Sequence, residues 1–553
     1  QLFFQNLWAN VMKSRKNILW IMADQLRWDY LSCYGHPTLH TPHLDKLSTM
    51  GVRFNKAYVQ SPVCGPSRMS FYTGRYMRSH GSSWNGFPLR AGEPTLGEHL
   101  REQNVHCWLM GKTHMVPDYD GMKRLGIDPN SKIGLQVSEC GFDVWERHDG
   151  THPDGFDNKP LNYNAYLRRH GMDANNPWEE WANSAEGENG ELLSGWFLEN
   201  AHLPARVPKE HSETAYLTDS MIKFLEQAQD DEPWLCHLSY IKPHWPFMAP
   251  APYNDMYSSD DIIPVIRSKD ELNNPNPVLG AWQNQRVCKS FARDFVRERV
   301  APVYMGLIKQ LDDELGRLFD YLENTGRMNN TMIVFTADHG ENMGDHWLGE
   351  KDMFYECSVK VPLIIYDPDP KADSTRGTTN DDLVEAIDLV PTFIEYFGGS
   401  DKPHIVEGHS LMPLLEQRKT WWRNCVFSEY DYATREARRA LGVDQKDARL
   451  NMVFDGRWKY IHCQGLRPML FDLKNDPSEL HDLGNKPEYK NECKRMAAIL
   501  LDWSLQHHTR ITLPPKRIEQ MTDVREPPGI LIGYWDADEA RKDGVLIKIL
   551  KAQ

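Results

Sequence analysis

A chain of 553 residues is too long for one ordinary hydrophobic core, so its length predicts a large domain with a smaller companion. Its formal net charge of −15 excludes a general nucleic-acid binder, because neutralising phosphates requires a basic face. No stretch approaches the ~20 apolar residues of a membrane-spanning helix, and ten cysteines without a C-x-x-C pair predict thiols in a reducing compartment rather than a disulfide framework.

Residues 1–15 lack the basic-then-apolar layout of a secretory signal and are expected to be a leader or an added remnant outside the fold. The expected location is the cytoplasm, or the periplasm if a signal has been removed. From there, apolar runs end in polar residues. Asn17 to Ala23 leads into Asp24, Val105 to Met110 into Gly111-Lys112-Thr113-His114, Trp234 to Ile241 into Lys242-Pro243-His244, and Thr331 to Ala337 into Asp338. Each run reads as a buried parallel strand, and in an open α/β sheet the carboxyl ends of the strands form the ligand-binding edge.

Helical patterns over Glu213 to Ala228 and Val303 to Leu322 precede two of these strands, which predicts a large, mostly parallel sheet sandwiched by helices. Segments 158–208 and 250–294, rich in Asn, Gly, Pro and Trp, are expected as insertions near the ligand edge. Residues 16–415 are thereby assigned to a catalytic domain. Beyond them, short runs over Cys425 to Tyr430, Asn451 to Phe454, Arg457 to Cys463 and Met469 to Leu473, with an Asp455-Gly456 turn, predict a small antiparallel sheet. A helix over Pro487 to His508 completes a subdomain of residues 416–510. The tail, 511–553, contains Pro514-Pro515 and Pro527-Pro528-Gly529, too irregular for a core, and is expected to embrace a neighbouring subunit.

Nine of the cysteines read as plain buried residues; Cys64 stands apart. It opens Cys64-Gly65-Pro66-Ser67-Arg68 and precedes a helical Met69 to Tyr72. Asp24 and Asp338-His339 offer hard oxygen donors and one imidazole from two strand ends. With an oxygen at position 64 they suffice for one divalent ion. Taken singly, either acid reads more readily as a helix cap, and a lone lysine or histidine after a strand as surface or core detail. Lys112, His114, His244 in Lys242-Pro243-His244-Trp245-Pro246 and Lys351 in Gly349-Glu350-Lys351 acquire meaning only as a set.

As a set they resemble the sulfatase family. Cys64 to Arg68 fits the C-x-P-x-R string that sulfatase-maturing enzymes read, and Gly111 to His114 fits the family's G-K-x-H element. The likeness extends in order through Thr41-Pro42-His43-Leu44-Asp45, Leu311-Asp312-Asp313-Glu314, Asp388-Leu389-Val390-Pro391-Thr392 and Phe471 to Pro477. It implies an alkaline-phosphatase-like α/β core and oxidation of Cys64 to formylglycine (3-oxoalanine). One hydroxyl of the hydrated aldehyde would attack the ester, and the second would expel the bound oxyanion from a covalent sulfo-enzyme intermediate.

The same resemblance implies metal ligation by Asp24, Cys64, Asp338 and His339. It implies sulfate contact for Lys112, a hydrogen bond from His114 to the formylglycine hydroxyl, and leaving-group contacts for His244 and Lys351. Arg68 would neutralise the diol, and Asn85 would touch substrate as in the phosphonate monoester hydrolase branch.

Two departures matter. Many sulfatases have Asp-Asp and Asp-Asn where this chain has Asp24-Gln25 and Asp338-His339; the substitutions resemble the choline-sulfatase and phosphonate monoester hydrolase branches, and the imidazole shifts the expected ion from calcium toward manganese, leaving Mn and Ca both open. Phosphonate monoester hydrolases carry Tyr and Thr where this chain has Lys112 and His114, which favours sulfate monoesters, with phosphonate monoester or phosphodiester hydrolysis as the alternative. A homologue that only binds anions would lack some of these groups, and none is missing. The expected partners are a small sulfate, phosphate or phosphonate ester, the formylglycine-generating enzyme and further copies of the chain in a dimer or tetramer, with no nucleic acid and no membrane.

Overall fold

The computed structural model describes residues 16–150, 161–228, 232–506, 510–521 and 533–542. The expected leader, 1–15, and much of the tail expected to reach a neighbour lie outside the described residues. These residues fall into two compact units, one within Gln1–Asp401 and Val406–His507, the other within Lys402–Ile405 and His508–Gln553. Among the described residues, no helix is long and apolar enough to cross a membrane.

The strands, in chain order, are β1 (Asn17–Ala23), β2 (Val52–Tyr58), β3 (His106–Gly111), β4 (Asp143–Arg147), β5 (Ser184–Glu186), β6 (Leu192–Ser194), β7 (Trp234–Tyr240), β8 (Thr331–Ala337), β9 (Lys360–Tyr366), β10 (Thr378–Asn380) and β11 (Val384–Glu385). All but β5 and β6, which pair with each other, join one sheet in the order β10-β2-β9-β8-β1-β7-β3-β4, with β11 also on β2. Every pairing in it is parallel except those of β9 with β2 and β8. The sheet is thus mixed and mostly parallel, in an alkaline-phosphatase-like fold.

β1, β7 and β8 are buried along their whole length, because both faces are covered and each strand is a near-continuous apolar run. β7 shows how the faces divide. His237 and Ser239 point to the helix Cys64–Thr73, bonding Tyr72 and Arg68, while Cys236 and Tyr240 meet Met221 and Thr218 of the helix Glu213–Gln227. Trp20 on β1 stacks on His237 in register beside it, with ring centroids 4.0 Å apart. Since Ala23 is also in register with Ala337, Asp24 and Asp338 leave the sheet side by side.

The helix before β8 runs over Asp294–Asn324, with Pro302 inside it, and so begins earlier than the Val303 start read from the sequence. Proline removes one intrahelical bond, yet extensive burial along this helix compensates. After it, β12 (Val426–Asp431), β13 (Arg449–Phe454), β14 (Trp458–Cys463) and β15 (Met469–Asp472) form a separate antiparallel sheet in sequence order. The helix Lys490–Leu505 packs on β13 and β14, and Trp503 stacks flat on Phe427 at 4.5 Å.

Candidate active site

Every residue singled out above, except Asn85, lies at the carboxyl end of a strand, on the following loop, or on the helix that Cys64 opens. Asp24 follows β1, Lys112 and His114 follow β3, His244 follows β7, and Asp338 and His339 follow β8. Gly111 makes the turn after β3 at φ 104°; a Cβ there would collide with the Ser239 carbonyl, which instead accepts the Lys112 N–H at 3.1 Å.

Cys64 is the first residue of the helix Cys64–Thr73, after an extended Val63, and is fully buried. Its Sγ lies 3.0 Å from His339 Nε2, 3.2 Å from Lys351 Nζ and 3.9 Å from Asp24 Oδ1. Burial alone would raise its pKa, but Lys351, His339 and Lys112 together hold it well below the usual thiol range, helped by a hydrogen bond from His114. The position therefore favours a negative charge, as an anionic nucleophile requires. Asn85 Oδ1 accepts the Gly65 N–H at 2.7 Å, so this side chain fastens the start of the helix Cys64–Thr73.

Arg68 sits on the same helix, one turn on, and is also fully buried. Its Nε donates to Asp338 Oδ2 at 2.8 Å, Nη2 to Asp24 Oδ2 at 3.2 Å, and Nη1 to the Lys112 carbonyl at 2.7 Å and Ser239 Oγ at 2.8 Å. Lys112 Nζ adds an ion pair to Asp24 Oδ2 at 2.5 Å. Burial and the neighbouring Cys64 would raise Asp24, yet Lys112, His244 and Arg68 hold it far below the carboxylate range. His114, at φ 57°, has its Nδ1 buried with no hydrogen-bond partner among the described residues.

On the opposite wall Lys351 Nζ lies 3.4 Å from His244 Nε2 and 3.4 Å from Gln25 Oε1. Burial would lower Lys351, but Cys64, Glu350 and Asp24 hold it above the ordinary lysine range. His244 is pushed down to about 4, by burial first and by Lys112 and Lys351 with it, against the pull of Asp24. Its Nδ1 donates to the Trp245 carbonyl at 2.6 Å, so the neutral ring turns a lone pair on Nε2 toward Lys351.

Asp24, Cys64, Asp338 and His339 each present one donor atom, all within 4.8 Å of one another. At position 64 the sulfur stands in for the oxygen of an oxidised side chain. His339 Nε2 is 3.8 Å from Asp24 Oδ1 and 3.7 Å from Asp338 Oδ1, separations that fit the edges of a coordination shell with bonds of roughly 2.0–2.6 Å. The His339 Nδ1–H donates to the Gly340 carbonyl at 2.8 Å, which turns Nε2 toward the cluster, where a bound ion would displace its proton. Burial would lower His339, but Asp338 and Cys64 lift it to about 9, a measure of the negative charge that a divalent ion would meet. The donor set fits such an ion.

Sequence reasoning passed over several residues that order this site. Lys242 is buried: its Nζ donates to Pro246 O at 2.9 Å, Asn183 Oδ1 at 3.2 Å and His244 O at 3.4 Å, with Glu213 3.8 Å away. It braces the turn that carries His244. Gln25 joins the Glu341 carboxylate to Lys351, and Asp149 accepts the Thr113 N–H at 3.0 Å. His346 pairs with Glu271 at 2.7 Å while stacking on Tyr355. These partners come from distant segments, and no local pattern announces them.

The family model described as Sulfatase matches residues 16–399, and that described as N-sulphoglucosamine sulphohydrolase, C-terminal, matches residues 344–506. The chain is 31% identical over 526 residues to the multifunctional alkaline phosphatase superfamily protein PehA of Trinickia caryophylli, covering 90% of this chain and 96% of that one. It is 29% identical to an arylsulfatase of Clostridium perfringens, covering 88% and 94%. Among solved structures, the phosphonate monoester hydrolase of Silicibacter pomeroyi superposes with a TM-score of 0.79 at 27% identity, over 90% of this chain and 97% of that one.

Proposed function

This chain belongs to the sulfatase family, and on that premise we propose that it hydrolyses sulfate monoesters in the manner of an arylsulfatase, with Cys64 oxidised to formylglycine. The observation that carries this reading is the convergence of Lys112 and Lys351 on the buried Asp24–Cys64 centre. In a chain of net charge −15, such a local basic pocket is what an anionic ester requires.

The hydrated aldehyde at position 64 supplies one hydroxyl to form a bond to sulfur and a second to expel sulfate as the aldehyde reforms. A divalent ion, Mn²⁺ or Ca²⁺, held by Asp24, Asp338, His339 and the oxygen at position 64, supplies acidification of that nucleophile and charge screening. The remaining tasks fall to the chain. Lys112 pairs with the sulfate oxygens, and Arg68 holds both carboxylates in place. Lys351 gives a proton to the departing oxygen; neutral His244 accepts from Lys351 and keeps its ammonium aimed at that oxygen. His114, whose ring bonds position 64, takes the proton of the second hydroxyl when the covalent ester collapses.

Likeness to a phosphonate monoester hydrolase over nearly the whole chain favours a second reading, hydrolysis of phosphonate monoesters or phosphodiesters at the same site. Parallel assays of an aryl sulfate, an aryl phosphonate monoester and a phosphodiester rank the two; dominant turnover of the phosphorus esters would overturn the first. The mass of the tryptic peptide 57–68 tests the nucleophile, since a plain thiol in active protein would refute the formylglycine chemistry. A sulfatase-maturing enzyme is the implied partner, the free cysteines support a reducing cytoplasm, and a dimer or tetramer is the assembly to look for by light scattering.

A further inference from the structure

Lys351 is carried to the site on a strained backbone. Met343, His346, Trp347, Glu350, Asp352 and Met353 all have φ between 49° and 92°, a left-handed region that side chains other than glycine rarely adopt. Such a conformation persists only where its surroundings over-determine it. Asn342 secures one side, its N–H bonding the Glu350 carbonyl at 2.8 Å and its Nδ2 the Lys351 carbonyl at 3.3 Å.

Asp352 secures the other. Its buried carboxylate accepts the Trp282 indole N–H at 3.2 Å and forms an ion pair with Arg435. Arg435 precedes the short helix Glu436–Ala440, just beyond β12, so the antiparallel region sends a cation across to the residue beside Lys351. The same guanidinium lies over the Trp84 ring, 5.6 Å from its centroid, and the next residue, Asn85, holds the Gly65 N–H beside Cys64. The Asp352 contact is an ion pair and the Trp84 contact a looser one over a ring, so Arg435 acts chiefly on the segment that bears Lys351.

We propose that Arg435, acting through Asp352, is a positioning residue for Lys351. Removing the ion pair leaves the Asp352 carboxylate buried with one donor fewer, releases the left-handed segment toward ordinary backbone conformations, and withdraws the ammonium from the cleft. The assignment rests on the reading of Lys351 as donor to the leaving oxygen.

The test is a double-mutant comparison on whichever ester class the enzyme turns over, using protein with quantified Cys64 oxidation and a series of leaving groups. Arg435→Gln is expected to lower kcat/KM by roughly 10-fold for a poor leaving group and less for an activated aryl ester, in the direction of Lys351→Ala. In a Lys351→Ala background the same change should cost less than about 2-fold, because the residue it positions is gone. Arg435→Lys, which keeps the charge, should recover part of the loss. Asp352→Asn gives the same comparison if Arg435→Gln does not fold. Losses that multiply in the Lys351→Ala background would overturn the proposal, showing that Arg435 acts independently of Lys351. A flat leaving-group series for Lys351→Ala alone would refute the donor role, while the coupling between the two residues is still judged by the double mutant.

Discussion

Arg68→Met is the sharpest test of how the site is held together. Arg68 donates hydrogen bonds to both Asp24 and Asp338, and all three are fully buried. Removing one partner of a buried pair costs about 3–5 kcal/mol, because a charge stays behind without compensation. With 553 residues at ~2.1 cal/mol/K each, the unfolding entropy is about 1.2 kcal/mol/K, so Tm should fall by about 3–4 °C. A divalent ion among the same carboxylates would supply the missing positive charge. Calorimetry of wild type and variant, each with chelator and with saturating Mn²⁺, separates the contributions: the penalty should be largest in chelator and shrink with the ion. An unchanged Tm in chelator, or a penalty identical in both conditions, would refute the charge-balance argument.

Lys351→Ala should reduce kcat/KM by about 10²–10³-fold for poor leaving groups and far less for activated aryl esters; equal losses across the series would remove its proton-donor role. Lys242→Met, which deprives two backbone carbonyls and Asn183 of a donor, should lower kcat/KM by roughly 10-fold through a loosened His244 turn; wild-type kinetics would show that the brace is unnecessary. Glu429, raised to about 7 by burial, with Glu407 adding and the Arg78 N–H and side chain opposing, gives a pH prediction. Its folded pKa exceeds the unfolded value of ~4.3, so its contribution is fully present below that value and is lost as pH rises through 7. Glu429→Gln should accordingly gain Tm relative to wild type between about pH 5 and pH 8.5, and a difference that stays constant with pH would exclude this titration.

What the sequence determined by itself is the strand ends after which Asp24, Lys112, His244 and Asp338 stand. The runs Asn17–Ala23 and Thr331–Ala337 coincide with β1 and β8, because a strand buried on both faces must be apolar throughout and its exit is marked by the first polar residue. Cys64-Gly65-Pro66-Ser67-Arg68 was likewise legible, since one helical turn carries both Cys64 and the Arg68 guanidinium. The four-stranded sheet was readable from short runs and turns to within a residue or two. β2 and β9 were not singled out, because Arg53, Asn55 and Lys56 interrupt the one and Pro362 lies within the other.

Only the tertiary structure decided how these side chains are oriented. That Lys242 is a buried brace, that Gln25 links Glu341 to Lys351, and that Arg435 reaches Asp352 across more than eighty residues are long-range hydrogen-bond and charge pairings. They depend on which loops meet at the sheet edge, and local periodicity carries no information about such meetings. Sequence names the polar groups at the strand ends; the fold fixes their partners, and with them the burial and neighbouring charge that shift their protonation.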